Sequence, residues 1–416
     1  MTMTDPTSTM KQFRCQPANA ISLTTLLRKY AGVPRDVAIA DGLPYVWKWL
    51  HTEHTSPKPH VWVDRSCENI LTPDQINQLI KILADVKCVE EITINAHQYK
   101  SGQNNQIYRQ AVDSKAIAIL LKRNRHLRTL SITGRMRFHD QDDLEIFARS
   151  IRDHPSLETL ELLSVSVGNR RSIRVGAEQQ HNDEEESTTD PTRINLDALF
   201  SVLATLPNLK HLEIVGDGPF AENASFLGDQ QSAPVIASLL GEKNKHHDDE
   251  HPHQNSIHHP TSVEISHNPK LVYLGLRNMG LTDLHMQAIA HALRNCEHQC
   301  LETLDVRCNR GISCQGQEAV LNVLMEDENY HLRRIEMDLY QRSPKSMRIF
   351  RHLHFYLRLN RANRRLFLHN KATSTTFQQR VEALIACRYD LDVLSYFVRQ
   401  DPSILEATTR AGDLKR

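Results

Sequence analysis

Hydrophobic positions in this chain recur in short alternating sets. The pattern L-x-x-L-x-L stands at Leu127, Leu130 and Ile132, at Leu157, Leu160 and Leu162, and at Leu209, Leu212 and Ile214. It returns at Leu271, Leu274 and Leu276 and at Leu301, Leu304 and Val306. Related sets at Val89, Ile92 and Ile94 and at Leu332, Ile335 and Met337 open and close the series. Successive side chains of a strand point to opposite faces, so each set predicts a short strand with one apolar face. Between the sets, apolar residues fall three and four apart, as on one side of a helix. These are Ile76, Leu79, Ile80 and Leu83; Ile117, Leu120 and Leu121; Leu144, Phe147 and Ile151. Further on they are Leu199, Val202, Leu203 and Leu206; Leu284, Ile289, Ala292 and Leu293; Val320, Leu321 and Leu324. Thr72-Pro73-Asp74, Asp140–Asp143 and Thr282-Asp283 supply the side-chain acceptors that favour a helix start.

The sets begin 38, 30, 52, 62, 30 and 31 residues apart. The spacings near 30 define a unit of one strand and one helix. Regular alternation of the two predicts an α/β fold, a parallel sheet with helices on its outer face. One unit cannot bury its own apolar side, so neighbours are expected to stack into a single curved solenoid. The longer spacings predict polar, mobile surface inserts near 168–193 and 242–269. The first carries Arg170, Arg171 and the acidic run Asp183–Glu186, and the second His246, His247, His251, His253, His258 and His259. Flanking the repeats, residues 1–20 read as a disordered tail. Residues 21–64 read as an N-terminal cap whose Tyr45, Trp47, Trp49 and Trp62 cover the open end of a repeat region spanning 65–342. Helical patterns at about 344–368, 375–388 and 391–399 predict a helical C-terminal cap over 343–416.

The runs Leu271–Asp283 and Leu301–Asn309 resemble leucine-rich repeats of the ribonuclease-inhibitor type, and the resemblance covers roughly residues 60–340. Asn309 falls where that family places its turn-binding Asn, while Met279, Val165 and Arg135 stand there in other units. The tract Phe355–Arg365 and the helices after it resemble the C-terminal tails of diatom-type leucine-rich-repeat proteins, with Asn363 at the position of a Gly. The resemblance implies a horseshoe that binds a protein partner on its concave face, as an intracellular scaffold or inhibitor.

Composition narrows the chemistry. Fifty basic residues balance fifty acidic ones, so a protein built to coat nucleic acid is not expected. G-x-S-x-G, Walker, G-x-G-x-x-G and H-E-x-x-H motifs are missing, and only 15 Gly are present, so no enzyme and no cofactor are expected. The His-rich insert reads as a polar loop without a structural metal, since nothing in it holds ligands in tetrahedral geometry. Cys296, Cys300, Cys308 and Cys314 read as small, reduced core residues. No apolar run approaches the length of a membrane span, and Met1–Pro17 is too polar for a secretory signal. A cytoplasmic location, with a nuclear one as alternative, is therefore expected.

Two surfaces are candidates for function. Residues alternating with the buried leucines should line the concave wall: Glu91, Thr93, Asn95, Thr129, Ser131, Thr133, Thr159 and Glu161 on one half. The expected partner-binding set is His211, Glu213, Tyr273, Arg277, Asp305, Arg307, Arg334, Glu336 and Asp338, because Tyr and Arg favour interfaces. The second surface is basic. Arg348, Arg351, Arg358, Arg361 and Arg365 recur at helical spacing, opposite a stripe of Phe350, Leu353 and Leu357 expected to face the last repeat. A protein partner on the concave face is the first reading. A GTPase-activating protein using Arg277 or Arg307 is a second, although that class usually ends in an acidic tail and this chain does not. A nucleic-acid or membrane-surface adaptor acting through the basic helix is a third. Partner identity and oligomeric state have no readable code in the repeats.

Overall fold

A computed structural model of the protein describes residues 60–64, 90–96, 99–100, 107–108, 112–167 except 135 and 153, 196–217, 232–241, 270–295, 300–338 except 327–328, 343–368 and 374–402, with five further positions between 77 and 84. The tail at 1–20, the aromatics Tyr45, Trp47 and Trp49, the helix start at Thr72–Asp74, Cys296 and both inserts lie outside the described residues.

The chain forms β1 (His60–Asp64), β2 (Glu91–Ala96), β3 (Tyr99–Lys100), β4 (Ile107–Tyr108) and β5 (Val112–Asp113), then α1 (Ser114–Arg123). Next come β6 (Thr129–Gly134), β7 (Met136–Phe138), α2 (Gln141–Ile151), β8 (Thr159–Val167) and α3 (Asp197–Ala204). The alternation continues through β9 (His211–Gly216), α4 (Ser232–Leu239), β10 (Tyr273–Arg277), α5 (Asp283–Asn295), β11 (Thr303–Asp305), α6 (Cys314–Met325) and β12 (Arg334–Glu336). Helices α7 (Pro344–Arg361), α8 (Arg365–Leu368), α9 (Ser374–Ala386) and α10 (Leu391–Gln400) follow.

All seven alternating sets are strands of one open parallel sheet, in the order β1-β2-β6-β8-β9-β10-β11-β12. The expected α/β class and parallel sheet are therefore observed. Parallel neighbours cannot be joined by a tight turn, and the helices from α1 to α6 supply the crossovers. The register is regular across the middle, with Leu160 beside Leu212, Leu212 beside Leu274, Leu274 beside Leu304 and Leu304 beside Ile335. These leucine rows and the apolar sides of the helices, such as Leu120, Phe147, Leu203 and Ile289, share one continuous buried core. Two short strands depart from the simple repeat: β7 pairs the far half of β8, and β5 pairs β7.

Trp62, read from sequence as part of the cap, stands on β1, which pairs β2 in register from His60–Glu91 to Asp64–Asn95. A strand therefore precedes the first expected set. Its HVWVD pattern alternates like the others, but lacks the leucine spacing that identified them.

The C-terminal helices differ from expectation in two ways. The helix expected over 344–368 breaks after Arg361, because Asn363 adopts a left-handed backbone (φ 57°). Asn tolerates that conformation better than most residues, and Gly better still. The buried stripe of α7 runs through Ile349, Leu353 and Leu357, four residues apart, whereas Phe350 is half-buried and packs edge-on against His354. Leu359, Ala362, Phe367, Ala383, Val393 and Phe397 make a second, smaller core among these helices.

The cysteines correct a further expectation. Cys300 and Cys308 are exposed, and Cys314 is half-buried. Cys308 sits at φ 63° in the turn after β11. No helix among the described residues is long and apolar enough to cross a membrane.

Candidate functional site

The residues alternating with the leucine rows carry the polar groups, some at the surface and some, like Ser131 and Asp305, buried. Register sets His211 beside Tyr273, Tyr273 beside Thr303 and Thr303 beside Arg334 in one row. The next row holds Ser131, Glu161, Glu213, Gly275, Asp305 and Glu336. The parallel ladder thus brings residues 30 to 62 positions apart side by side.

At the centre, the rings of His211 and Tyr273 stack face to face, 4.1 Å apart and 7° from parallel. Gly275 makes room for this. A Cβ there would lie 2.9 Å from a Tyr273 ring carbon and 3.0 Å from Cγ of Glu213. The Tyr273 ring therefore leans along its own strand, and burial pushes its phenol up to about 12, helped by Glu213 and Asp305. The hydroxyl stays protonated at any ordinary pH.

Charges alternate from this stack toward β12. Arg277 pairs with Glu213 and lies 3.7 Å from Asp305. Arg307 holds Asp305 with two parallel bonds, Nε to Oδ1 at 3.0 Å and Nη2 to Oδ2 at 2.6 Å. The Asp305 side chain is only 1% exposed, so it depends on these guanidinium groups for its charge to be tolerated. Contact with His211, and then with Arg277, holds the Glu213 carboxyl below the usual carboxylate range despite its burial. Arg334 pairs with Glu336 at the open end of the row and is 68% exposed.

Toward β8 the pattern changes. Glu161 stands directly across from Glu213, and His211 Nε2 lies 3.3 Å from Glu161 and 3.9 Å from Glu213. Ser131 Oγ donates to the other oxygen of Glu161 at 2.6 Å. Glu161, His211 and Glu213 are the group among the described residues whose ligand atoms converge, all within 4.8 Å of one another.

Of the residues expected from sequence, His211, Glu213, Tyr273, Arg277, Asp305 and Arg307 form one contiguous cluster, with Arg334 and Glu336 beside it. Asp338 is engaged elsewhere, since its carboxylate accepts from the Cys308 backbone N–H of the preceding unit at 2.6 Å. The basic helix face is only partly assembled. Arg348, Arg351 and Arg361 are exposed on α7, but Arg358 pairs with Asp390 at 2.9 Å and Asp392 at 3.6 Å. Arg365 lies beyond the break, on α8. Arg364 is wholly buried, donating to the Leu324 carbonyl at 2.8 Å between the rings of Tyr330 and Tyr356. Periodicity could not separate Arg364 from Arg365, because the backbone break that turns one inward is not a periodic feature. Gly275 was missed too, although a lone Gly inside a strand is itself a sign of close approach.

One other pair resembles catalytic chemistry. Ser232 Oγ and His285 Nε2 lie 3.0 Å apart, both buried. The Thr282 backbone N–H donates to His285 Nδ1 at 3.0 Å, so the ring proton sits on Nε2 and points at the serine. That tautomer donates to Ser232 and cannot take its proton. The pair is a structural tie between α4 and α5.

Fold and site together define an open α/β protein whose parallel sheet has one leucine-filled face and one face of paired charges around a His–Tyr stack. No family model matches the chain, and no curated protein matches it either.

Proposed function

We propose that this protein is a leucine-rich-repeat solenoid of the ribonuclease-inhibitor type that recognises a protein partner, without chemistry, on the exposed face of its sheet. One observation carries the reading. From β6 to β11 every leucine position is buried, while the alternating row from His211 through Tyr273 and Thr303 to Arg334 remains at the surface as a continuous polar strip. A preformed strip offers a partner aromatic and guanidinium groups already held in place, so little ordering is lost on binding. The turn contacts support the repeat assignment. Asn309 Oδ1 accepts from Met279 N and Leu281 N, and Nδ2 donates to the carbonyls of Leu276 and Val306, tying one unit's turn to the next. The break at Asn363, where the diatom-type tail carries Gly, is likewise in keeping with that resemblance.

The GTPase-activating alternative gains nothing from the geometry, since Arg277 and Arg307 are both committed to buried or half-buried carboxylates.

The test must leave Asp305 paired, so it acts on the outer row. Thr303→Arg places a long side chain between Tyr273 and Arg334, and Arg334→Glu reverses the charge beside it. Affinity capture from native extract, read by mass spectrometry, is expected to lose its specific partner in the double variant while circular dichroism stays unchanged. Capture of the same partner by both proteins would overturn recognition by this face.

A further inference from the structure

We propose that Glu161, His211 and Glu213 bind a divalent transition-metal ion of the zinc type on the exposed face of the sheet. The site goes beyond the reading above and does not depend on it.

The three side chains come from two paired strands. Glu161 on β8 and Glu213 on β9 are register partners, and His211, two residues before Glu213, points to the same face. Like charges placed directly opposite each other destabilise a sheet. Such a pair needs cationic or hydrogen-bond-donor groups to answer it. Arg277 answers one oxygen of Glu213, and the Ser131 hydroxyl answers one oxygen of Glu161. Those partners occupy the outer oxygens. The inner ones, Oε1 of Glu161 and Oε2 of Glu213, both turn toward Nε2 of His211. That nitrogen is shielded from solvent, and neither carboxylate meets it with hydrogen-bond geometry.

Converging inner atoms with their outer atoms held by other side chains is the arrangement of metal ligands and the groups that orient them. The ring of His211 is also fixed, because its stack on Tyr273 stops it turning away. Ligand atoms around a tetrahedral zinc ion are about 3.4 Å apart. The two contacts to Nε2, 3.3 and 3.9 Å, are already near that spacing. The two carboxylates need only close together, which a Glu side chain can do by rotation. Arg277 also reaches Asp305, so Glu213 can turn inward without stranding the guanidinium. One imidazole and two carboxylates suit zinc and its first-row neighbours, while magnesium and calcium prefer oxygen alone.

The test is calorimetric titration of the full chain with zinc chloride. The histidines of the insert offer competing imidazoles, so the titration is run in a background carrying His246→Asn, His247→Asn, His251→Asn, His253→Asn, His258→Asn and His259→Asn. One zinc per chain is expected to remain. His211→Asn and, separately, Glu161→Gln should each weaken it at least tenfold. Glu161→Gln keeps an oxygen for Ser131 and removes a repulsive charge, so it should fold as well as the parent. X-ray absorption at the zinc edge should show a single imidazole with oxygen ligands. Loss of zinc binding in the six-Asn background, or binding unaltered by both site variants, would overturn the proposal.

Discussion

At the residue scale, the groups that matter most are those whose charge or polarity is buried and answered by one or two partners. Asn309 is the clearest, 1% exposed, with three bonds to the neighbouring turn and two within its own. Asn309→Ala leaves two amides and two carbonyls without their partner, and chemical denaturation should show a loss of about 2–4 kcal/mol. His154 is fully buried, its Nε2 facing the Asn124 carbonyl at 3.1 Å, and burial lowers its ring to about 4. The unfolded ring titrates near the ordinary value of about 6.5. Between these values the unfolded chain binds the proton and the folded chain does not, so stability falls as pH drops from about 6.5 toward 4. His154→Gln should remove up to about 3 kcal/mol from the pH dependence measured by denaturation at pH 7 and pH 4. Gly275→Ala should push the Tyr273 ring off His211, and ultraviolet titration against a Tyr273→Phe reference should then find that phenol shifted back toward about 10. The importance of Asn309 was readable because the repeats that this stretch resembles carry Asn there. His154 was not, since a lone His in sequence has no mark of depth.

At the element scale, the strands and most helices could be read because period two and period 3.6 are properties of the chain alone. Exceptions include β1, whose Val and Trp lack the leucine spacing, the two- and three-residue strands β3, β4, β5 and β7, and α7, whose end is set by one left-handed residue. The inward face of α7 was displaced by one position. A helix stripe around Leu353 and Leu357 accepts either Ile349 or Phe350, and contact with the preceding units selects Ile349. Leu353→Ala should therefore cost about 2–5 kcal/mol, whereas Phe350→Ala should cost clearly less. Thermal unfolding of the two variants checks the ranking, and equal losses would contradict it. The basic face shrank for a related reason. Arg358 meets Asp390, which caps α10, and Asp392 in its first turn, a contact joining parts of the chain more than 30 residues apart.

At the scale of the molecule, two cores divide the work. The larger runs from Ile80 to Leu357 through the sheet, and the smaller joins α7 to α10 around the stacked rings of Phe367 and Phe397, 3.9 Å apart. A small satellite core can open while the larger remains closed. Phe397→Ala is expected to speed amide hydrogen exchange in α9 and α10 while the protection of β6–β11 stays as it is. Uniform acceleration across the sheet would show the two cores to be one cooperative unit.

The sequence by itself determined the α/β class, the position of seven strands and which side of each strand is apolar, because alternation needs no partner to be legible. Only the tertiary structure decided what stands next to what. Parallel register placed Glu161 opposite Glu213, stacked His211 on Tyr273 and brought Arg277 to Glu213. Those contacts join residues separated by whole repeat units, and their energies depend on distance and burial, quantities that exist once the chain has folded.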